Sequence, residues 1–196
     1  SFGFGAVITV PDDYSTIQEG IDAAVEGDTV LVGQGEYYEN LIIQKTITLT
    51  SYAIYDDLSE WVLNAGEYYI NNDNILNTRI DGSNDTNGEG FESTILINSP
   101  DDECISPIIF GFTITGGGGT TATFQDNDIQ WTRGGGFLSY NALPTLNYNF
   151  IKDNDDGDIE SGGGGNVSNG DQFDRLMDLE NYSFERPRCE GDVDLS

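Results

Sequence analysis

The chain has 196 residues, enough for one domain with a substantial core, and its 35 acidic residues against 7 basic ones give a net charge of −28. This charge repels nucleic-acid phosphates and anionic membrane surfaces, so we expect neither as a partner. The absence of histidine excludes histidine bases, zinc–histidine sites and Ser-His-Asp chemistry. No long apolar run is present, so we expect no membrane insertion.

The segment from Ile8 to Ser51 predicts one short helix followed by short strands. Ser15 is expected to cap the helix, and Gln18 three places later completes an S-x-x-Q capping box. Gly27 is expected to end the helix, after which strand-forming residues recur in short runs. A lone amphipathic helix before many short strands is typical of a stack of coils that must cover its open end.

Two insertions interrupt the strand signals of the remaining chain. Residues 52–77 mix aromatic residues with Asp and Asn, and predict an insertion with a helical turn from Asp57 to Leu63. Residues 120–133 form a second polar loop.

The glycine runs that begin at Gly134 and Gly162 lie 28 residues apart, which predicts an internal repeat about one coil plus a loop in length. No lysine-bearing helix follows the glycine runs, so we interpret them as close-packed bends rather than phosphate loops.

The stretches VPDDYSTIQEGIDAA, GDTVLV and GEYYENLII resemble the opening of secreted right-handed parallel β-helix proteins, the pectin-lyase-like superfamily. The resemblance implies an all-β fold, a right-handed parallel β-helix (a solenoid) with an N-terminal capping α-helix. It also implies a secreted or cell-surface location. The expected organisation is a single domain over residues 1–196, with the first strand and helix in 1–27, coils in 28–165, and an irregular C-terminal segment in 166–196.

The two ends of the chain carry further expectations. SFGFGA at the start is consistent with the stump of a processed export signal, and in a secreted protein Cys104 and Cys189 would pair, whereas otherwise they are buried thiols. Residues Asp174 to Leu179 predict a helical turn. A solenoid needs a cap at both ends, and only the first is visible in the sequence. We therefore expect a truncated chain, or a last coil that self-associates or is covered by a partner.

The catalytic signatures of related β-helix enzymes are incomplete. GEYYE, from Gly35 to Glu39, resembles the first signature block of pectin methylesterases, but the blocks that supply that family's two aspartates are missing, so a plain turn is preferred. A lyase needs calcium and a lysine or arginine of lowered pKa, and bases are scarce here. The enzyme alternative is the N-terminal part of a calcium-dependent polysaccharide lyase or a glycoside hydrolase. A filament-forming subunit is a second alternative.

An acidic turn and three aromatic residues are the candidate binding groups. The turn KDNDDGD lacks EF-hand spacing and suits either a calcium site or a solvated surface turn. Its candidate calcium ligands are Asp153, Asp155, Asp156 and Asp158. Aromatic rings can stack on sugars, or pack an insertion onto the coils. The candidate ligand-binding residues are Trp61, Tyr69 and Trp131. We predict a non-catalytic structural, adhesive or glycan-contacting module whose partner is a polysaccharide or cell-surface glycan.

Overall fold

A computed structural model describes residues 5–64, 68–84, 86, 91–99, 105–123, 130–140, 142–155, 159–162 and 175–177. This part of the chain consists mostly of strands, with two short α-helices and two 3₁₀ turns. The all-β class expected from the sequence is confirmed.

The elements are short and follow one another closely along the chain. The helices are α1 (Ile17–Ala23) and α2 (Asp73–Asn77), and the 3₁₀ turns are Tyr52–Tyr55 and Gly82–Asn84. The strands are β1 (Val7–Val10), β2 (Thr29–Val32), β3 (Gly35–Tyr37), β4 (Leu41–Ile43), β5 (Thr48–Ser51), β6 (Val62–Asn64), β7 (Tyr68–Ile70), β8 (Thr78–Asp81), β9 (Phe91–Glu92), β10 (Ile95–Asn98), β11 (Ile108–Phe110), β12 (Thr113–Thr115), β13 (Gly119–Thr123), β14 (Gln130–Arg133), β15 (Phe137–Tyr140), β16 (Thr145–Asn147), β17 (Asn149–Ile151), β18 (Ile159–Gly162) and β19 (Arg175–Met177).

Three sheets form the body of the described structure. Sheet A has the order β1-β2-β5-β11-β16, sheet B has β19-β17-β12-β8-β3, and sheet C has β18-β15-β10-β4. All their strand pairs are parallel except β17 with β19. The chain visits the sheets in a fixed rotation, because β4, β5 and β8 are followed by β10, β11 and β12 and then by β15, β16 and β17. Each complete passage through the three sheets adds one strand to each of them.

One hydrophobic cluster joins residues from all three sheets. Side chains alternate along a strand, so in β8 Ile80 is fully buried in this cluster whereas the neighbouring Arg79 is only half-buried. Both faces of a parallel sheet are usually covered, which favours the β-branched and aliphatic residues found here. The large, fully buried members include Ile43, Leu49, Ile80, Ile95, Ile97, Phe112, Ile114 and Phe137.

Glycine allows the close approach of successive bends. A Cβ atom at Gly117 would collide with the carbonyl oxygen of Gly135 in the adjacent bend, which confirms a close-packed bend for the glycine run that begins at Gly134, whereas residues 163–165 of the second run lie outside the described residues. The predicted repeat spacing was wrong, however. Phe137 in β15 pairs with Ile159 in β18, and positions 137 and 159 differ by 22 rather than 28. The second glycine run therefore does not take the place of the first, because sheet register depends on the alternating strand residues.

Helix α1 begins one residue later than predicted. Thr16, not Ser15, is the N-cap: its hydroxyl accepts a hydrogen bond from the Glu19 N–H at 3.2 Å, and the Glu19 carboxylate accepts one from the Thr16 N–H at 3.2 Å. Ser15 instead donates its hydroxyl to Glu19 at 2.9 Å. The helix ends at Ala23, so Gly27, with a φ of 85°, belongs to the turn that follows.

Helix α1 lies along the free edge of β4, the last strand of sheet C. The Gln18 side chain mimics a neighbouring strand: its Oε1 accepts from the Ile42 N–H at 2.8 Å and its Nε2 donates to the Ile42 carbonyl at 3.1 Å. Glu39 binds the first turn of the helix, and Lys45 binds the last. The helix thus satisfies backbone groups that an open sheet edge would expose.

Two local helix predictions were wrong in whole or in part. The proposed turn from Asp57 to Leu63 is reduced to one hydrogen-bonded turn before strand β6, in which the Trp61 N–H donates to the Leu58 carbonyl at 3.3 Å. The helical structure of this insertion lies on either side, at Tyr52–Tyr55 and in α2. The proposed turn from Asp174 to Leu179 contains β19, which pairs antiparallel with β17. In both places, pairing with a neighbouring strand outweighs a weak local propensity. The second insertion holds the antiparallel pair β13 and β14.

Candidate functional site

The insertion over residues 52–77 builds its own small core against the outside of the sheets. Trp61, Ile70 and Ile75 are buried in a second hydrophobic cluster that also includes outward residues of β11 and β17. The Trp61 ring meets the Tyr148 ring edge-on, with centroids 5.6 Å apart. Such aromatic pairs stabilise beyond the area that they bury, so the insertion is fixed to the sheets rather than loosely attached.

A groove of about 550 Å³ opens beside this small core. It lies between the loop before β3, the end of the first 3₁₀ turn and the start of α2. Apart from Ile70, every residue that lines it is polar or acidic. The lining residues are Gln34, Asp56, Ile70, Asn71, Asn72, Asp73 and Asn74.

Asp56 organises the groove. One oxygen of its carboxylate accepts hydrogen bonds from the side-chain amides of Asn72 and Asn74, each at 2.8 Å. Asn74 in turn accepts a bond from the Gln34 amide at 2.9 Å, and Asn72 caps α2 by accepting from the Ile75 N–H at 2.8 Å. These bonds hold the amide groups in fixed positions, which suits recognition of a ligand rich in hydroxyl groups.

The three aromatic residues predicted to bind a ligand lie in different parts of the structure. Trp61 is 5% exposed and packs on Tyr148, so its ring belongs to the small core. Tyr69, on β7, is 48% exposed and directly precedes the lining residues Ile70 and Asn71. Trp131 lies on β14, and its side chain is outside the described residues. Tyr69 is therefore exposed on the strand whose next residue, Ile70, lines the groove, but it is not itself a lining residue.

A charged cluster lies on the outer face of sheet B. Arg79 donates to Asp81 at 2.8 Å and lies 3.8 Å from the Glu36 carboxylate across the β3–β8 pair. Tyr38 donates its hydroxyl to Glu36 at 3.2 Å, and this bond, together with the negative charge of Glu36, raises the pKa of Tyr38. In the described part of the chain, this is where a base and several acids meet on neighbouring strands.

The GEYYE block serves the fold. The two carboxylate oxygens of Glu39 accept hydrogen bonds from the Ile17 and Gln18 N–H groups, both at 2.9 Å. A carboxylate at a helix N-terminus satisfies unpaired donors and the positive end of the helix dipole. Lys45 donates to the carbonyls of Ile21 and Ala24 at the other end, at 3.0 and 2.8 Å. These contacts account for both residues without a catalytic role.

The calcium prediction falls partly outside the described residues. Asp153 and Asp155 are exposed in the turn after β17, and Asp153 forms an ion pair with Lys152 at 3.0 Å, whereas Asp156 and Asp158 are not described. Over the described ranges, no group of three or more His, Cys, Asp or Glu side chains is placed to hold a metal ion. The predicted disulfide partners Cys104 and Cys189 also lie outside those ranges.

The chain matches no known protein-family model and no curated protein sequence. Within the described residues, no helix is long and apolar enough to cross a membrane.

The sequence located the insertion but not the residues that line its groove. The run from Asn71 to Asn74 carried a signal, because four consecutive Asn or Asp residues between strand residues favour a turn with helix capping. Gln34 had no such signal. It reaches the groove only because β3 lies beside the α2 segment after folding, as its bond to Asn74 shows.

Proposed function

We propose that this chain is a rigid, extracellular parallel β-helix module that contacts a glycan without cleaving it. The observation that carries the proposal is the polar groove in which Asp56 holds fixed amide groups. Sugars are recognised by planar hydrogen-bonding groups, which line the groove, and by exposed aromatic rings, of which Tyr69 lies on the same hairpin as the lining residue Ile70. A structural or adhesive role follows from the same rigidity.

The proposed architecture is a right-handed solenoid of the pectin-lyase-like kind. Its support is the regular rotation through three sheets, with each visit adding one parallel strand to each sheet. Helix α1 on the edge of β4 supports a role as the N-terminal cap. A stack of this kind gives a stiff body from which the insertion projects its groove.

Affinity electrophoresis tests glycan binding. The native protein is run through gels that each contain one soluble polysaccharide, and we expect at least one polymer to retard it. Tyr69→Ala should abolish most of the retardation because stacking on an aromatic ring is lost, whereas Tyr14→Ala, a comparably exposed tyrosine in the loop before α1, should not. Equal retardation of both variants, or none with any polymer, would contradict the proposal.

The charged cluster on sheet B is the place to test the enzyme alternative. It brings acids and an arginine together on neighbouring strands, as a polysaccharide lyase would, but the carboxylates of Glu36 and Asp81 stabilise the charged form of Arg79, which cannot accept a proton. Incubation with polyuronates, with and without calcium, followed by ultraviolet detection of unsaturated sugars, tests it. Product that disappears in Arg79→Lys would establish the lyase function and replace the non-catalytic proposal.

Calcium at the acidic turn from Asp153 to Asp158 forms part of the proposal. Carboxylates in one short turn suit a hard cation, and binding to the native state alone raises the unfolding temperature. Thermal unfolding with and without millimolar calcium is the measurement. An unchanged unfolding temperature would remove calcium from the proposal and leave the glycan groove unaffected.

A further inference from the structure

Strand β1 is the edge strand at one end of sheet A, where it pairs only with β2. The Gly33 N–H donates to the Val10 carbonyl at 2.7 Å, so the backbone groups of Val10 face β2. Backbone groups of successive residues in a strand point to opposite sides, so those of Val7 and Thr9 point away from the sheet. An edge of this kind can pair with a strand of another molecule.

The loop over residues 11–14, here called the edge loop, closes half of this edge. The Thr9 N–H donates to Oδ2 of Asp13 at 2.8 Å, and the Thr9 hydroxyl donates to the same oxygen at 2.7 Å. The Thr9 carbonyl accepts from the N–H groups of Asp13 and Tyr14 at 2.8 and 3.3 Å. Both outward backbone groups of Thr9 are therefore used within the chain.

The bonds from Thr9 also favour the ionised form of Asp13. They lower the pKa of the Asp13 carboxyl below its ordinary value of 3.8, so that at neutral pH it is an acceptor only. Pro11 begins the edge loop and has no N–H to offer to a neighbouring strand. Across the described ranges, no residue bonds the outward groups of Val7, whose side chain is 54% exposed. Half of the edge is thus closed and half is open.

We propose that Asp13 closes the edge of β1 against a second copy of this chain. Two identical edges can pair antiparallel about a twofold axis, which would set Val7 of one copy opposite Thr9 of the other. That pairing requires the outward groups of both residues, and the edge loop leaves only those of Val7. The proposal concerns self-association through sheet A and does not depend on the glycan-binding function.

Sedimentation velocity over a range of protein concentrations tests the inference. The runs are made in about 0.5 M sodium chloride, because the net charge of −28 otherwise opposes any contact between copies. Asp13→Ala removes the acceptor for the Thr9 N–H and loosens the edge loop. We expect this variant to associate about tenfold more tightly than wild type, or better, because backbone groups become free to pair between copies.

Two matched variants separate edge closure from charge. Asp13→Asn removes the charge but keeps a side-chain oxygen that can accept from the Thr9 N–H, so it should behave as wild type. Asp12→Ala removes the same charge from an exposed neighbour in the edge loop, and should also behave as wild type. Circular dichroism and thermal unfolding check that each variant is folded.

A second substitution places the new contact on β1. Val7→Pro removes one outward N–H, so in the Asp13→Ala background it should return association to the level of wild type. Amide-resolved hydrogen exchange on the wild type gives a separate measurement. The Thr9 amide should exchange at least tenfold more slowly than the Val7 amide, because only Thr9 has an acceptor.

Each contrary result would overturn the inference. Association of Asp13→Ala no stronger than that of wild type would show that the edge loop closes nothing. Equal association of Asp13→Ala, Asp13→Asn and Asp12→Ala would show that charge repulsion alone keeps copies apart. Association that Val7→Pro does not reverse would place the contact on another surface. If Asp13→Ala does not fold, the wild-type exchange rates decide, and equal rates at Thr9 and Val7 would refute the closure.

Discussion

Helix α1 and the insertion over residues 52–77 are held to the sheets by different kinds of contact. Helix α1 receives polar bonds at both ends, from Glu39 at its first turn and from Lys45 at its last. The insertion over residues 52–77 is fixed by apolar contact with residues much further along the chain, chiefly between Trp61 and Tyr148. Polar bonds hold the ends of the helix at a defined sheet edge, whereas an aromatic contact attaches a whole segment.

This difference predicts unequal sensitivity to mutation. Removing a large buried side chain creates a cavity and costs roughly 3–5 kcal/mol. Losing a hydrogen bond to a charged group costs about 1.5–3 kcal/mol, and less at a partly solvated site. The Trp61 ring should therefore contribute more to the attachment of the insertion than any one polar bond contributes to that of the helix, whose Ile17 and Ile21 are also buried in the main core.

Trp61→Ala should produce the largest loss. We expect the free energy of unfolding in urea to fall by about 3–5 kcal/mol, because Trp61 is buried against Tyr148. Hydrogen exchange should accelerate first in α2, whose Ile75 shares the same cluster. Tyr69→Ala, on the same hairpin but half-exposed, is the control and should cost much less. Equal losses in the two variants would show that the small core does not hold the insertion.

Glu39→Gln should have an intermediate effect. Glutamine has one side-chain oxygen for two helix N–H donors and no charge, so we expect a loss of about 1–2 kcal/mol in urea unfolding. Glu36→Gln removes an exposed carboxylate three residues earlier and should change stability by less than about 0.5 kcal/mol. A loss at Glu36 as large as that at Glu39 would argue against the helix-binding role.

The smallest effect concerns the capping box at acidic pH. Hydrogen bonds from Ser15 and Thr16 lower the pKa of Glu19 below its ordinary value of 4.5. A lowered folded-state pKa means that the stabilisation is present above pH 4.5 and is lost as pH falls through the lower value. Glu19→Gln should thus be less stable than wild type near neutral pH, and the gap should narrow in acid. A gap independent of pH would contradict this ionic contribution.

Much of the strand pattern could be predicted from the sequence. The runs of strand-forming residues expected after Gly27 correspond to β2, β4 and β5, because β-branched and aliphatic residues favour a buried sheet. The N-cap was misplaced by one residue, since Ser15 and Thr16 both have the required hydroxyl and only the position of Glu19 decides between them. Of the aromatic residues predicted to bind a ligand, Trp61 is buried and Tyr69 is exposed. Composition alone does not predict which ring is buried.

Two bends at corresponding positions on neighbouring strands tolerate different residues, because their surroundings in the folded structure differ. Gly111 adopts a φ of 80°, and a Cβ there would lie 2.7 Å from the Ser51 hydroxyl, so glycine is required. Tyr148 occupies the corresponding position on the next strands of sheets A and B, also with positive φ. Its ring contacts Trp61, and this packing offsets the backbone strain.

The sequence by itself determined the all-β class, the amphipathic helix α1, the insertion at residues 52–77 and the strong negative charge, because these depend on local periodicity and composition, whereas the second helix, α2, was not predicted. Tertiary structure decided the sheet register, the burial of Trp61 and the groove that joins Gln34 to Asn74. Each of these depends on which distant segments lie side by side after folding, and local residue patterns do not encode that choice.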